Sequence, residues 1–130
     1  MLINDMKIEG RSAAMYSPLT LAYLGDAVYE LYVREKLVLR ANESNGKLHA
    51  EALQYVSAKG QCAFFKKIEA ELTPEELIIY KRGRNSDAVP GRNNDIADYK
   101  RATGVETLFG YLYLSGNTDR MEYLFSLLEI

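Results

Sequence analysis

Apolar side chains recur along this chain at three- and four-residue intervals, and no stretch shows the two-residue alternation of a half-buried strand. "SP" at Ser17-Pro18 sets an N-cap residue before a proline at the first helical position. The apolar run "PLTLAYLGDAVYELYV" then predicts a helix to about Leu39, buried nearly all round, and "RANES" breaks it. Ser44 or Asn45 is positioned to cap a second helix through "KLHAEALQYVSAK", on which Leu48, Ala52, Tyr55 and Val56 form one stripe. Gly60 is expected to end or bend that helix, with "QCAFFKKIEA" continuing in helical register. "TPEE", Thr73 to Glu76, combines an N-cap, a first-turn proline and a capping-box glutamate ahead of a short helix, "EELIIYKR". After the irregular "RGRNSDAVPGRNND", the string "IADYKRATGVETLFGYLYL" predicts a long helix with Val105, Leu108, Phe109, Leu112 and Tyr113 at helical spacing. "SGNTD" stops it, and "RMEYLFSLLEI" supplies a last helix. No repeat, low-complexity tract or linker interrupts this order, so the expectation is one all-α domain over residues 1–130.

Composition narrows the chemistry. A chain of 130 residues is long enough to bury a core, and a single cysteine, Cys62, leaves no internal disulfide and fits a reducing compartment. "MLINDMKIEG" carries Asp5 and Glu9 and has no apolar h-region, while the opening apolar run is too short for a bilayer and is interrupted by Asp26 and Glu30. A cytoplasmic protein without membrane association is expected. His49 is the only histidine, which removes zinc sites and histidine-based nucleophile triads. Neither a Walker A loop nor a dinucleotide fingerprint is present, so no nucleotide cofactor is expected.

Charge is unevenly spread. The net charge is −2, yet residues 81–101 hold six bases (Lys81, Arg82, Arg84, Arg92, Lys100, Arg101) against three acids (Asp87, Asp95, Asp98). That segment is +3 and the remainder −5. It reads either as an ordinary solvated loop or as an element that contacts phosphates.

Two acids stand out within apolar helices. Asp26 lies nine residues beyond Ser17, too deep to cap its helix, directly after Gly25. Glu106 sits among Val105, Leu108 and Phe109, with Gly110 one turn on. A glycine inside such a helix marks close approach of another helix or of a ligand. Packed together, the two helices would bring two carboxylates to one point, where they repel unless one takes up a proton or a hard cation such as Mg²⁺ or Mn²⁺ intervenes. Two plainer readings stay open: Asp26 ion-paired to a nearby Arg or Lys, and "TGVE", Thr103 to Glu106, as a capping box.

"LAYLGDAVYELYV" resembles the signature helix of ribonuclease III catalytic domains, and "VETLFGYLYL" resembles the second motif of that family. "KLHAEALQYVSAKGQ", "YKRGRNSDAVP" and "DYKRATGVETLFGYLYL" are similar to its short bacterial branch, Mini-ribonuclease III. The likeness runs from about Ser17 to the C-terminus, in order and with compatible spacing. It implies the all-helical ribonuclease III catalytic fold, working as a homodimer. It also implies Mg²⁺-dependent hydrolysis of double-stranded RNA to 5′-phosphate and 3′-hydroxyl ends, with Mn²⁺ able to substitute, and a part in maturing the ends of precursor 23S ribosomal RNA. Asp26 matches the catalytic aspartate of the family, Glu106 its metal-binding glutamate, and Tyr23 the aromatic at the dimer interface. The resemblance turns the basic segment into the expected RNA contact, with Arg82, Arg84 and Asn85 foremost and Lys81 and Arg92 after them. His49 and Lys59 fall in a similar stretch and are as readily structural.

The departures matter as well. Full-length bacterial members carry further acids where this chain has Leu19, Ala22 and Thr103, which leaves open whether one or two metals bind per site. No room is seen for a double-stranded-RNA-binding domain after Ile130. The rival expectation is a catalytically silent dimer of the same fold that binds structured RNA or a ribosomal particle.

Overall fold

The computed structural model describes residues 8–87 and 95–130, and within them the chain forms seven α-helices. These are α1 (Gly10–Ala14), α2 (Pro18–Arg40), α3 (Asn45–Val56), α4 (Ala58–Ile68), α5 (Pro74–Arg84), α6 (Ile96–Leu114) and α7 (Thr118–Phe125), with a 3-10 turn at Glu69–Glu71. No strand occurs among the described residues. No helix among them is long and apolar enough to cross a membrane.

Local chemistry sets most of the boundaries. The Ser44 hydroxyl accepts from the Lys47 N–H at 3.3 Å to start α3, and the Asp95 carboxylate accepts from the Asp98 N–H at 3.0 Å to start α6. Thr73 and Glu76 close a full capping box on α5. Ser17 holds the cap position of α2, but its side chain makes no cap bond, so Pro18 is what sets that start.

Four features differ from the expectation. The five-residue α1 was not anticipated, being shorter than any periodic signal. The break between α3 and α4 falls at Ser57, whose extended backbone (φ −64°, ψ 160°) ends one helix while its hydroxyl caps the next, and Gly60 lies inside α4. The last helix stops at Phe125. Finally, α2 is not buried all round: Tyr23 is 85% exposed and Leu19, one turn before it, is 42% exposed, so that face of the helix lacks cover in the single chain.

The central element is α6, which touches α1, α2, α4, α5 and α7. From Ala102 to Gly110 every residue except Glu106 is buried, the pattern of a helix enclosed on all sides. Tyr29, Phe64, Phe109 and Phe125 fill the core beneath it, with Phe109 and Phe125 stacked at 4.4 Å between ring centroids. Where α2 crosses α6 the main chains nearly touch. A Cβ on Gly25 would lie 1.7 Å from the Glu106 carbonyl oxygen, and one on Gly110 would lie 1.9 Å from that of Leu21. Only glycine fits at either position.

Candidate active site

The glycine crossing decides where the two acids stand. Asp26 follows Gly25 on α2, and Gly25 rests against the backbone of Glu106 on α6. Their carboxyl groups come within hydrogen-bonding reach, Asp26 exposed and Glu106 half-buried. Burial, then the negative charge of Asp26, pushes the Glu106 carboxyl up to about 8. A pair so placed needs a shared proton or a cation between them.

Neither plainer reading of these acids finds support among the described residues. No ion pair among the described residues involves Asp26. Thr103 lies well inside α6, its hydroxyl donates to the Tyr99 carbonyl at 2.9 Å, and the cap of that helix is Asp95.

A third polar group joins the pair from α4. Gln61, only 2% exposed, donates from Nε2 to Glu106 Oε2 at 3.3 Å and works against the upward shift of that carboxyl. Below, Tyr29 donates its hydroxyl to the Tyr55 carbonyl at 2.8 Å, and burial together with the charge on Glu106 raises its pKa and keeps the phenol neutral.

The positions that depart from the family pattern bring nothing ionisable. Leu19 is exposed, while Ala22 and Thr103 are buried. Among the described residues no group of three or more His, Cys, Asp or Glu side chains converges. Two hard oxygen donors, one of them open to solvent, form a sparse site. Such a site fits Mg²⁺, which dehydrates reluctantly and binds through one or two carboxylates plus water and phosphate.

The basic residues gather at the C-terminal end of α5. Lys81 and Asn85 are exposed. Arg84 donates to Asn85 Oδ1 at 3.3 Å and lies 5.8 Å from the centroid of the Tyr80 ring. Arg82 is differently engaged: its guanidinium donates to the Ala14 and Tyr16 carbonyls at 2.5 and 3.0 Å, tying α5 to the turn before α2. Arg92 lies outside the described residues. Tyr23 projects from the uncovered face of α2, one turn from the exposed Leu19.

Gln61 is the site residue that sequence reasoning did not single out. Its signal was an amide heading the stripe Gln61, Phe64, Phe65, Ile68, whose other members are all apolar and buried.

Comparison with known proteins bears on this arrangement. The family model of the ribonuclease III domain matches residues 19–117, a span that holds both acids and the glycine crossing. Mini-ribonuclease 3 of Clostridium tetani is 41% identical over 113 residues, covering 85% of this chain and 75% of that protein. Mini-ribonuclease 3 of Streptococcus pneumoniae is 42% identical over 111 residues, covering 83% and 87% respectively. A crystal structure of a Fusobacterium nucleatum protein superposes with a TM-score of 0.79 at 32% identity, over 88% of this chain and 92% of that one.

Proposed function

Since the chain belongs to the ribonuclease III family, we propose that it is an endoribonuclease that cuts double-stranded RNA at a cation site made by Asp26 and Glu106. The observation that carries the reading is the meeting of these two carboxyl groups across the Gly25–Gly110 crossing, with no basic side chain among the described residues paired to either. Magnesium is the proposed cation, with manganese as its substitute. When bound, it supplies Lewis-acid polarisation of a phosphate and lowers the pKa of a water. Asp26, open to solvent, meets the incoming backbone, and Glu106 holds its charge at the half-buried end of the site.

Lys81, Arg84 and Asn85 contact the duplex backbone. Arg82 anchors the helix end that presents them, and Arg92 lies in the segment beyond. An A-form duplex is read mainly through its backbone and shape, which suits cations at a helix end. The active species is a homodimer joined through the Tyr23 face, so that two-fold symmetry sets one site near each strand. The natural substrate is precursor 23S ribosomal RNA.

The test incubates purified protein with a long RNA duplex, with and without Mg²⁺, beside Asp26→Asn and Glu106→Gln. Cleavage is expected from the parent chain alone, only with the cation, leaving 5′-phosphate ends. A parent chain that binds the duplex and never cuts it would leave the silent-dimer reading standing instead. Primer extension on a precursor 23S transcript then locates the cuts, and absence of discrete ends would remove that substrate.

A further inference from the structure

We infer that Gln61 is a positioning residue of the active site: its buried side-chain amide orients the Glu106 carboxylate so that it receives a divalent cation together with Asp26. The inference rests on the reading that Asp26 and Glu106 hold such a cation.

The break at Ser57 places the amide. The Ser57 hydroxyl accepts from the Gly60 N–H at 3.1 Å, and the Gln61 N–H donates to the Ser57 carbonyl at 2.9 Å, which fixes the first turn of α4. Gln61 then lies beside the last carbonyl of α3, and Nε2 reaches both Val56 O, at 3.4 Å, and Glu106 Oε2, at 3.3 Å. The Val56 carbonyl is an acceptor, as is the Glu106 carboxylate in its ionised form, which sets the nitrogen end of the amide toward them.

The other end of the amide is what makes the residue conspicuous. Gln61 Oε1 is buried and has no hydrogen-bond partner. Leaving a buried acceptor unmet is destabilising, and an apolar side chain on this stripe would avoid it. The amide thus serves two acceptors, the last carbonyl of α3 and the Glu106 carboxylate, and the second is the one that bears on a cation. An arginine or lysine at this point would neutralise Glu106 and compete with a cation. A neutral donor orients the carboxylate and leaves its charge available.

The test measures Mn²⁺ binding by electron paramagnetic resonance on the full chain, without RNA, for the parent, Gln61→Met, Gln61→Asn and Glu106→Gln. Cation-free thermal unfolding and duplex cleavage are followed in parallel. Gln61→Met keeps the volume and removes the donor. It is expected to weaken Mn²⁺ binding about 10-fold or more and to lower kcat with KM for the duplex unchanged. Its cation-free Tm should stay near the parental value, because loss of the long bonds to Val56 O and Glu106 is offset by removal of the unmet acceptor. Gln61→Asn, with its amide withdrawn by one methylene, should fall between, and it decides the matter if the Met variant does not fold. Parental Mn²⁺ affinity in Gln61→Met, or losses that track a fall in Tm, would overturn the inference. Parental Mn²⁺ affinity in Glu106→Gln would instead sink the two-acid site itself.

Discussion

Among single residues, Glu76 and Glu106 show one helical protein setting two carboxylates to opposite ends. Glu76 is 6% exposed and fully partnered: the Thr73 N–H donates to it at 2.9 Å, and Arg120 donates through two nitrogens at 2.8 Å each. Burial alone would raise its pKa, but Arg120 and Thr73 outweigh burial and hold the carboxyl below its ordinary value of 4.5. A depressed carboxyl contributes stability that is whole above that ordinary value and is lost as pH falls through the folded-state value. Acid titration of cation-free protein should therefore show a loss of Tm below about pH 4.5 that Glu76→Gln flattens. Arg120→Ala, which strands the buried carboxylate, is expected to lose about 2 kcal/mol by urea unfolding, with cleavage per folded molecule intact. Glu106 has the reverse character: Asp26 faces it as a like charge, and the amide of Gln61 is its one side-chain donor among the described residues. Asp26 and Glu106 were legible in the sequence because a charge within an apolar run is conspicuous. Gln61 was not, since an amide carries no charge and only its three-dimensional neighbours give it a task.

At the scale of helices, the crossing of α2 and α6 is the decisive contact. Gly25→Ala and Gly110→Ala each drive a methyl group into a backbone carbonyl rather than a movable side chain. Each should destabilise by about 3 kcal/mol and cut cleavage more than its loss of folded protein explains, because the acids are drawn apart. Circular dichroism melts beside single-turnover cleavage would check this, and an alanine variant with parental rates would refute it. Caps and prolines made most helix starts readable: Pro18, Ser44 and the Thr73–Glu76 box each act locally. The break at Ser57 was hidden because an extended serine inside a helical pattern has no periodic signature, and the more visible Gly60 drew attention three residues too far. The exposure of Tyr23 was not legible in the periodicity of α2 and was expected only through the family resemblance. Apolar side chains left at a surface have the same spacing as those that face a core.

The uncovered face of α2 matters most at the scale of the whole molecule. Tyr23, at 85% exposure, and Leu19, at 42%, lie a turn apart on the outside of the helix that carries Asp26. Sedimentation velocity of the parent chain should give a dimer, and Tyr23→Glu should give half that mass with duplex cleavage reduced at least in proportion. A monomeric parent that cuts at full rate would remove the homodimer. The glycine crossing also has a meaning for anyone wishing to redirect such an enzyme. The spacing of the acids is written in main-chain atoms of Leu21 and Glu106, a chassis that owes nothing to the side chains at the end of α5. If recognition lies where we propose, it can drift, by natural divergence or in a library randomised over Lys81, Arg84 and Asn85, while the cutting edge stays sharp.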